Sequence, residues 1–301
     1  MKDLKRIQGN TWYIDCTEII PVYFLNEREI VLLDNGLQIP DGDIIRNIID
    51  ENDLSVRAVI CSHIHPDHTG NSKMLQNEYH AEVIINYIED ALNANPLTIS
   101  AIYKVFTPGD AERDCSFLIG KADRVFMCGD EYVEVDGVRF GLQYLPGHTA
   151  GHTAISTPDD VIYLGDALLS GRMLTEPKLL TIMDWAEDLK SKEKIRQMNY
   201  SKYVLAHKGI FDDVKDLVDA NIKRKDEVCD YILDVLRSKE SWTNSEFEIE
   251  FWNRFELHAK DLRRNAMYRR NLMNLIEYLV DCGRIERVFS GGTCYYSVSL
   301  K

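Results

Sequence analysis

Short, nearly unbroken apolar runs give this chain its rhythm. Val31 to Leu33, Val56 to Ile60, Val83 to Ile85, Val161 to Leu164 and Tyr203 to Ala206 are each about the length of a strand, and so little polarity within them predicts buried strands. Thr11 onward also reads as strand. Tyr132 to Val135 and Val138 to Leu145 flank Asp136-Gly137, a turn dipeptide that predicts a hairpin. Helical spacing takes over in between. Met74, Leu75 and Tyr79 share a face across 71–80, with His80 as a cap, and 185–198 reads as an outer helix. From Asp213 the positions Val214, Leu217, Val218, Ile222, Val228, Ile232, Leu233 and Leu236 keep a 3.6-residue period. They predict a long amphipathic helix that packs on the sheets and then leads away. The alternation suggests two packed mixed sheets flanked by helices. Residues 87–122 fit least, with a helical piece at Tyr87 to Leu92, a helix-compatible Ile99 to Phe106 and a Pro108-Gly109-Asp110 turn. Such an insertion either overhangs loops at the sheet edge or is solvent-facing helix.

Ser241 opens a different unit. Ser245-Glu246-Phe247-Glu248 has the form of a capping box heading a helix that runs to Phe255, which packs through Trp252 and Phe255. Residues 264–282 make a second helix, with Met267, Leu272, Leu275, Ile276 and Leu279 on its apolar side and Gly283 as the stop. Arg284 to Phe289 and Thr293 to Val298, joined by Ser290-Gly291-Gly292, form a hairpin with Ile285, Val288, Tyr295 and Tyr296 as its core. Helix, helix and glycine-turned ribbon look like a winged-helix module. The chain thereby divides into 1–212, a connecting helix at 213–240 and a small unit at 241–301.

Composition narrows the class. Of 301 residues, 45% are hydrophobic and 28% charged, enough for one large domain and a small one. The opening Met1-Lys2-Asp3-Leu4-Lys5-Arg6 has no apolar stretch behind it that reads as a secretory leader. No run reaches the ~20 apolar residues of a membrane helix. The seven cysteines form no Cys-x-x-Cys pair and read as reduced, mostly buried thiols of a cytoplasmic protein. A net charge of −14 speaks against long anionic polymers as generic partners. Residues 242–301 stand apart: nine Lys/Arg against eight Asp/Glu give +1 and leave −15 on the rest. Lys260, Arg263, Arg264, Arg269 and Arg270 are candidate phosphate contacts. In the competing reading they pair with neighbours such as Glu256, Asp261 and Glu286, and the unit packs on the sheets or builds a homodimer.

The chemistry concentrates in Cys61-Ser62-His63-Ile64-His65-Pro66-Asp67-His68-Thr69-Gly70, directly after a predicted buried strand. Three of the chain's eight histidines share this window. Imidazole and carboxylate suit zinc, iron(II) and manganese(II). In an extended loop His63 and His65 point to one side and can share an ion, while Asp67 and His68 reach toward a second as the chain turns at Gly70. Cys61 is read as packing beside them. Three later sites also stand at the ends of short apolar runs: Pro146-Gly147-His148-Thr149-Ala150-Gly151-His152, Gly165-Asp166, and His207 before Lys208-Gly209. Singly, His148, Asp166 and His207 are turn or cap residues as readily as ligands. The same placement four times over favours one shared metal site on a rigid scaffold.

In that order, His-x-His-x-Asp-His, Gly-His-Thr-x-Gly-His, Gly-Asp and a late strand-end His resemble the metallo-β-lactamase superfamily over residues 8–212. The resemblance implies an α/β fold, a four-layer αββα sandwich, here with a small winged-helix-like unit added. It also implies two divalent ions, zinc first, with iron or manganese as alternatives. His63, His65 and His148 would hold one ion, Asp67, His68 and His207 the other, and Asp166 would bridge them. Asp34 matches the aspartate that steadies the histidine loop in relatives, and has an ordinary reading as a strand-end turn residue. His152 matches a non-ligand histidine.

Sulfur dioxygenases of the superfamily lack part of the second ligand set, and flavodiiron oxygen reductases carry glutamate where His65 stands. Hydrolysis is therefore expected over redox chemistry, with Asp67 and Asp166 as the catalytic carboxylates. The motifs resemble glyoxalase II-like hydrolases, but a winged-helix-like unit stands where those have a helical glutathione-binding domain, which speaks against glutathione thioesters. The Asp67 and Asp166 pattern and the lack of an export signal speak against a secreted β-lactamase. The expected substrate is a small ester, thioester or lactone. Two other readings stay open: a phosphodiesterase that grips single-stranded RNA with the C-terminal unit, and a non-catalytic winged-helix DNA-binding protein with a vestigial metal site.

Overall fold

The computed structural model describes residues 1–103, 107–176 and 179–299. The apolar runs become inner strands of two sheets. The first sheet follows chain order: β1 (Leu4–Gln8), β2 (Thr11–Asp15), β3 (Ile19–Phe24), β4 (Glu29–Leu33), β5 (Ser55–Ile60), β6 (Glu82–Asn86) and β7 (Arg124–Phe126). Its first four strands pair antiparallel, and β4 to β7 pair parallel. The second holds β8 (Tyr132–Val135), β9 (Val138–Tyr144), β10 (Thr153–Thr157), β11 (Val161–Tyr163), β12 (Lys202–Val204) and β13 (Ile210–Phe211), with β11 and β12 parallel. β1 escaped the sequence reading because it is an edge strand with one buried end residue, Leu4, followed by exposed Lys5 and Arg6.

The layering explains the runs. Ile30 and Leu32 of β4 face Ile45, Ile48 and Ile49 of α1 (Asp41–Glu51). Beyond the one-turn α2 (Pro66–Thr69), Leu75 of α3 (Ser72–Tyr79) joins the same outer core. Val31 and Leu33 face the other way, into an inter-sheet core with Phe140, Ile155 and Tyr163. A strand buried on both sides has no polar face to alternate with.

Residues 87–122 form α4 (Tyr87–Asn93), α5 (Pro96–Tyr103) and α6 (Pro108–Cys115). Pro108-Gly109-Asp110 is the first turn of α6 and not a separate turn. Thr107 Oγ1 accepts from Asp110 N at 3.1 Å, and Asp110 Oδ2 accepts from Thr107 N at 3.0 Å. Proline suits the first helical position, where an N–H has no partner anyway. α5 starts three residues before Ile99, and the rest of the expected stretch, 104–106, lies outside the described residues. The buried face of the insertion meets the C-terminal unit, where Ile99, Ala111 and Cys115 pack with Ala266.

After the short α7 (Gly171–Thr175), α8 (Trp185–Arg196) and the start of α9 (Lys215–Arg237) cover the far side of the second sheet. There Ile195 and Val218 pack on Ile162, Leu164 and Leu205. The sandwich is therefore the expected αββα. The second half of α9, through Val228, Ile232 and Leu236, enters another core with Phe247 and Phe251 of α10 (Asn244–Phe255) and Leu272, Leu275, Ile276 and Leu279 of α11 (Leu262–Asp281). Leu179, Leu180, Ile182 and Trp185 join that core from the sandwich side. β14 (Trp242–Thr243), β15 (Ile285–Ser290) and β16 (Thr293–Val298) complete the unit as a small antiparallel sheet.

The cap of α10 lies two residues before the expected one. Thr243 and Glu246 form the box, with Glu246 Oε2 accepting from Thr243 N at 3.0 Å. Buried Trp242, whose Nε1 donates to Leu236 O at 3.1 Å, fixes the chain just upstream of this cap. Glu248 instead meets Arg269 at 3.2 Å, so that arginine does not take the acidic neighbours expected, and Arg284 meets Asp230 at 2.8 Å. Ile285 and Tyr296 are buried as hairpin core. Val288 is 55% exposed and Tyr295 half-buried, because this sheet is covered on one face only. Among the described residues no helix is long and apolar enough to cross a membrane. All seven cysteines are free, four of them buried.

Candidate metal centre

Strand ends bring the chemistry together. β4 runs parallel to β5 and β11 to β12, so residues leaving their C-terminal ends emerge on a shared edge, where open α/β sheets place ligands. Asp34 follows β4, His63 and His65 follow β5, Asp166 follows β11 and His207 follows β12. Since β10 is antiparallel to both β9 and β11, the loop after β9 that carries His148 opens the same way. Asp67 and His68 come from α2. Bonds across the sheets lock the edges in register: Thr153 N donates to Ser62 O at 3.0 Å and Ile19 N to Ala206 O at 2.9 Å.

Among the described residues, ligand atoms gather in two groups, His63 with His65, His148 and Asp166, and Asp67 with His68, Asp166 and His207, each within 4.8 Å. His65 Nδ1 lies 3.0 Å from His63 Nε2 and 2.9 Å from His148 Nε2. A tetrahedral zinc sets its ligand nitrogens roughly 3.3 Å apart, close to these spacings. Asp166 Oδ2 is 3.3 Å from His148 Nε2 and 3.2 Å from His207 Nε2, so one carboxylate serves both groups. His68 Nε2 and Asp166 Oδ1 are buried without a hydrogen-bond partner. Such orphans cost about 1–3 kcal/mol each unless a cation satisfies them. The residues present fit two ions.

Four of the five imidazoles have their other ring nitrogen anchored as ligation requires. Asp34 Oδ2 accepts from His68 Nδ1 at 2.6 Å and from Tyr163 Oη at 2.7 Å, while Asp34 Oδ1 accepts from Ser62 N at 2.6 Å. Ser62 Oγ donates to Asp34 at 2.7 Å and therefore accepts from His63 Nδ1, 3.0 Å away. Glu18 holds His207 Nδ1 at 2.6 Å, and the Thr181 carbonyl holds His148 Nδ1 at 2.9 Å. These bonds leave the Nε2 atoms of His63, His68, His148 and His207 directed inward. His152 takes a bond from Asp166 N at 3.2 Å on its Nε2, beside the ligand groups and outside them. Buried Cys61 packs behind Asn35.

Charge separates the two groups. Burial holds His63 well below the usual histidine range and His148 down to about 3; burial, then the Arg270 guanidinium, bring His65 to about 3. These rings are neutral, the form in which an imidazole can hold a metal. Burial opposes charge on His68 and His207 too, yet carboxylates prevail. Asp166, Asp67 and Asp34 hold His68 well above its usual range, and Asp166 with Glu18 pushes His207 up to about 10. The second group is thus a carboxylate-rich pocket that attracts cations.

Several supports were not foreseen from sequence. Glu89, fully buried, accepts from Ile64 N at 3.0 Å and Gly151 N at 2.6 Å, tying the two histidine loops together. Gly147 sits at φ +136, where a Cβ would run into the Asp188 backbone, and its carbonyl accepts from Met183 N and Asp184 N at the head of α8. Asn271 of α11 donates to Thr181 Oγ1 at 3.2 Å, and Asn274 to Ile182 O at 3.1 Å. The C-terminal helix therefore braces the segment that orients His148. A cavity of about 540 Å³ opens over the ligands, lined at that end by His65, Asp67, His148, Asp166 and His207 and farther out by residues of α9 and α11.

Comparison with known proteins agrees with this geometry. The family model of the metallo-beta-lactamase superfamily matches residues 8–207. A hydroxyacylglutathione hydrolase from Haemophilus influenzae is 30% identical over 161 residues, covering 51% of this chain and 72% of that protein. An atrochrysone carboxyl ACP thioesterase from Aspergillus chevalieri is 27% identical over 144 residues, 47% of this chain and 37% of that one. The chain thus spans little more than a third of the second relative's length. A beta-lactamase domain protein of known structure from Burkholderia ambifaria matches with a TM-score of 0.70 at 16% identity, over 98% of this chain and 94% of that one. At that identity the likeness speaks for the fold alone, and it extends past the sandwich into the C-terminal helices. The chain belongs to the metallo-beta-lactamase superfamily, and its histidine–aspartate cluster is that of a metal-dependent hydrolase.

Proposed function

We propose that this chain is a dinuclear hydrolase of small acyl thioesters or esters, lactones included. His63, His65 and His148 hold one ion, Asp67, His68 and His207 the other, and Asp166 joins them. The observation that carries this reading is that two four-ligand groups share a single buried carboxylate. Divalent ions bound there would supply the acidified water and the polarised carbonyl that hydrolysis needs at neutral pH, with zinc, iron(II) and manganese(II) all compatible with the donors.

The chain's own residues do the rest. Asp34, Glu18 and Thr181 fix the imidazole orientations. Asp67, whose side chain is 24% exposed, is the ligand carboxylate open to the cavity, and its Oδ2 is placed to take and return a proton. Leu169, Leu179, Leu180 and Met267 give the cavity an apolar wall that excludes bulk water from the acyl group. In the reaction one water is consumed, the acyl carbon–sulfur or carbon–oxygen bond breaks, and the leaving atom departs with a proton.

A small acyl compound suits this cavity better than an RNA strand. Its volume falls in the small-molecule range, and no Phe, Tyr or Trp ring lines it among the described residues. Single-strand readers stack bases on such rings. The hairpin at the chain's end, which with α10 and α11 we read as winged-helix-like, adds exposed Phe289 and half-buried Tyr295, both away from the cavity lining. The full chain loaded separately with zinc, manganese and iron(II) should turn over a butyryl thioester or an aryl ester in preference to bis-aryl phosphates and single-stranded RNA. That turnover should disappear with chelator and in His148→Ala. RNA cleavage faster than ester turnover overturns the substrate class.

A further inference from the structure

The outer half of the cavity has a composition that neither metal ligation nor packing requires. Its lining includes Lys192, Arg224, Lys225, Arg263, Arg264 and Arg270. These are six of only 35 Lys and Arg residues in a chain of net charge −14. One buried acid, Asp188, meets two of them: Lys192 Nζ at 2.7 Å and Lys225 Nζ at 2.6 Å. Arg224 pairs with Glu227 at 3.0 Å. Arg263 and Arg264 form no ion pair among the described residues and are exposed on the first turn of α11, where the helix dipole adds to their positive field.

α11 explains how they come to face the site. Arg263, Met267 and Arg270 fall at i, i+4 and i+7, one stripe of a helix, and all three line the cavity. Asn271 and Asn274 continue that face onto the segment behind His148. Leu272, Leu275, Ile276 and Leu279 turn the opposite way into the C-terminal core. Arg270 lines both this cavity and the small neighbouring one together with His65. Seven residues of helix carry the stripe about 10 Å from there to Arg263.

Resting on the hydrolase reading, we propose that the C-terminal helix selects the substrate: an acyl thioester or ester bearing an anionic group, phosphate or carboxylate, roughly 10 Å from the carbonyl, held by Arg263 and Arg264. The carbonyl lies at the histidine end, the linking chain runs along Met267, Leu179 and Leu180, and the anion meets the guanidinium pair. Guanidinium forks match both phosphate and carboxylate. The C-terminal unit is then a substrate-binding element of the hydrolase, which is neither nucleic-acid grip nor mere packing.

Three thioesters separate the possibilities: S-butyryl-5-mercaptopentyl phosphate, with a phosphate on the leaving arm, nonanedioyl-N-acetylcysteamine, with a carboxylate on the acyl arm, and neutral nonanoyl-N-acetylcysteamine, the two anions lying about 10 Å from the carbonyl when extended. The metal-loaded full chain should show kcat/KM at least tenfold higher for one anionic compound than for the neutral one, and which one identifies the source of the anion. In R263E/R264E that ratio should fall at least tenfold through KM, while Arg287→Glu on the exposed hairpin should preserve it. Calorimetry with the uncleavable thioether counterparts of these three compounds gives a readout independent of turnover and should show the same order of affinity. Turnover of the neutral thioester with no anionic preference, or a preference that survives R263E/R264E, overturns this inference and leaves the hydrolase reading intact. Anion-selective binding lost in R263E/R264E, with no thioester or ester hydrolysed, sustains the inference and removes the hydrolase.

Discussion

The two ends of the 540 Å³ cavity are built on opposite principles. At the inner end, side chains from strand-end loops converge within hydrogen-bonding distance, nearly every ring nitrogen has an anchor, and the backbone hangs on two rigid sheets. At the outer end, one face of α11 presents Arg263, Arg264, Met267 and Arg270, supported by Asn271 and Asn274, from a unit whose core is separate from the inter-sheet core. Reaction chemistry tolerates little displacement, so it sits where the scaffold is stiffest. Recognition of a substrate's far end tolerates more, and a helix from an added unit can supply it.

Variants can break or sharpen this contrast. The largest effect belongs to the inner end: His148→Ala should bring turnover down to the uncatalysed background in a stopped assay, with circular dichroism unchanged. Next, Asp34→Ala should weaken metal binding by about 10–100-fold in competition with a chromophoric chelator, because His68 and Ser62 lose their shared acceptor. Asn271→Ala reaches His148 only through Thr181 and should cost less, under about tenfold in the same titration. Equal losses for Asp34→Ala and Asn271→Ala would erase the distinction between the ends and make α11 part of the metal scaffold proper.

The smallest effect concerns Lys225. Burial brings it down to about 8 from 10.5 despite the nearby Asp188. A folded pKa below the unfolded one means that the unfolded chain binds more protons between about 8 and 10.5, so this group makes stability rise with pH across that window. Lys225→Met should remove that rise. The change in unfolding free energy from pH 8 to pH 10 should differ between wild type and variant by about 1–2 kcal/mol. Identical pH profiles in urea unfolding would show that Lys225 is not held in this way.

The same contrast governs what could be read from the sequence. His63, His65, Asp67 and His68 announce themselves because their spacing is local, and His148, Asp166 and His207 because each ends a buried strand. Glu18, Thr181 and Asn271 carry no such mark: their importance comes from contacts across the fold, as with Asn271 and Thr181, 90 positions apart. The stripe of α11 was half visible. Its arginines stand out as charges, but Met267 reads with the apolar core, since periodicity alone does not say which neighbour a helix face will meet. The Pro108-Gly109-Asp110 turn is the first turn of α6, and the box of α10 lies at Thr243 and Glu246, just after the buried Trp242.

Metal stoichiometry tests the central claim most directly. Full-length protein saturated with zinc and freed of excess ion should carry two ions per chain by elemental analysis, and His63→Ala/His148→Ala should retain one, held by the carboxylate-rich group. Wild type saturating at a single ion, or a double variant that still holds two, would contradict the two-group site on which the functional reading stands.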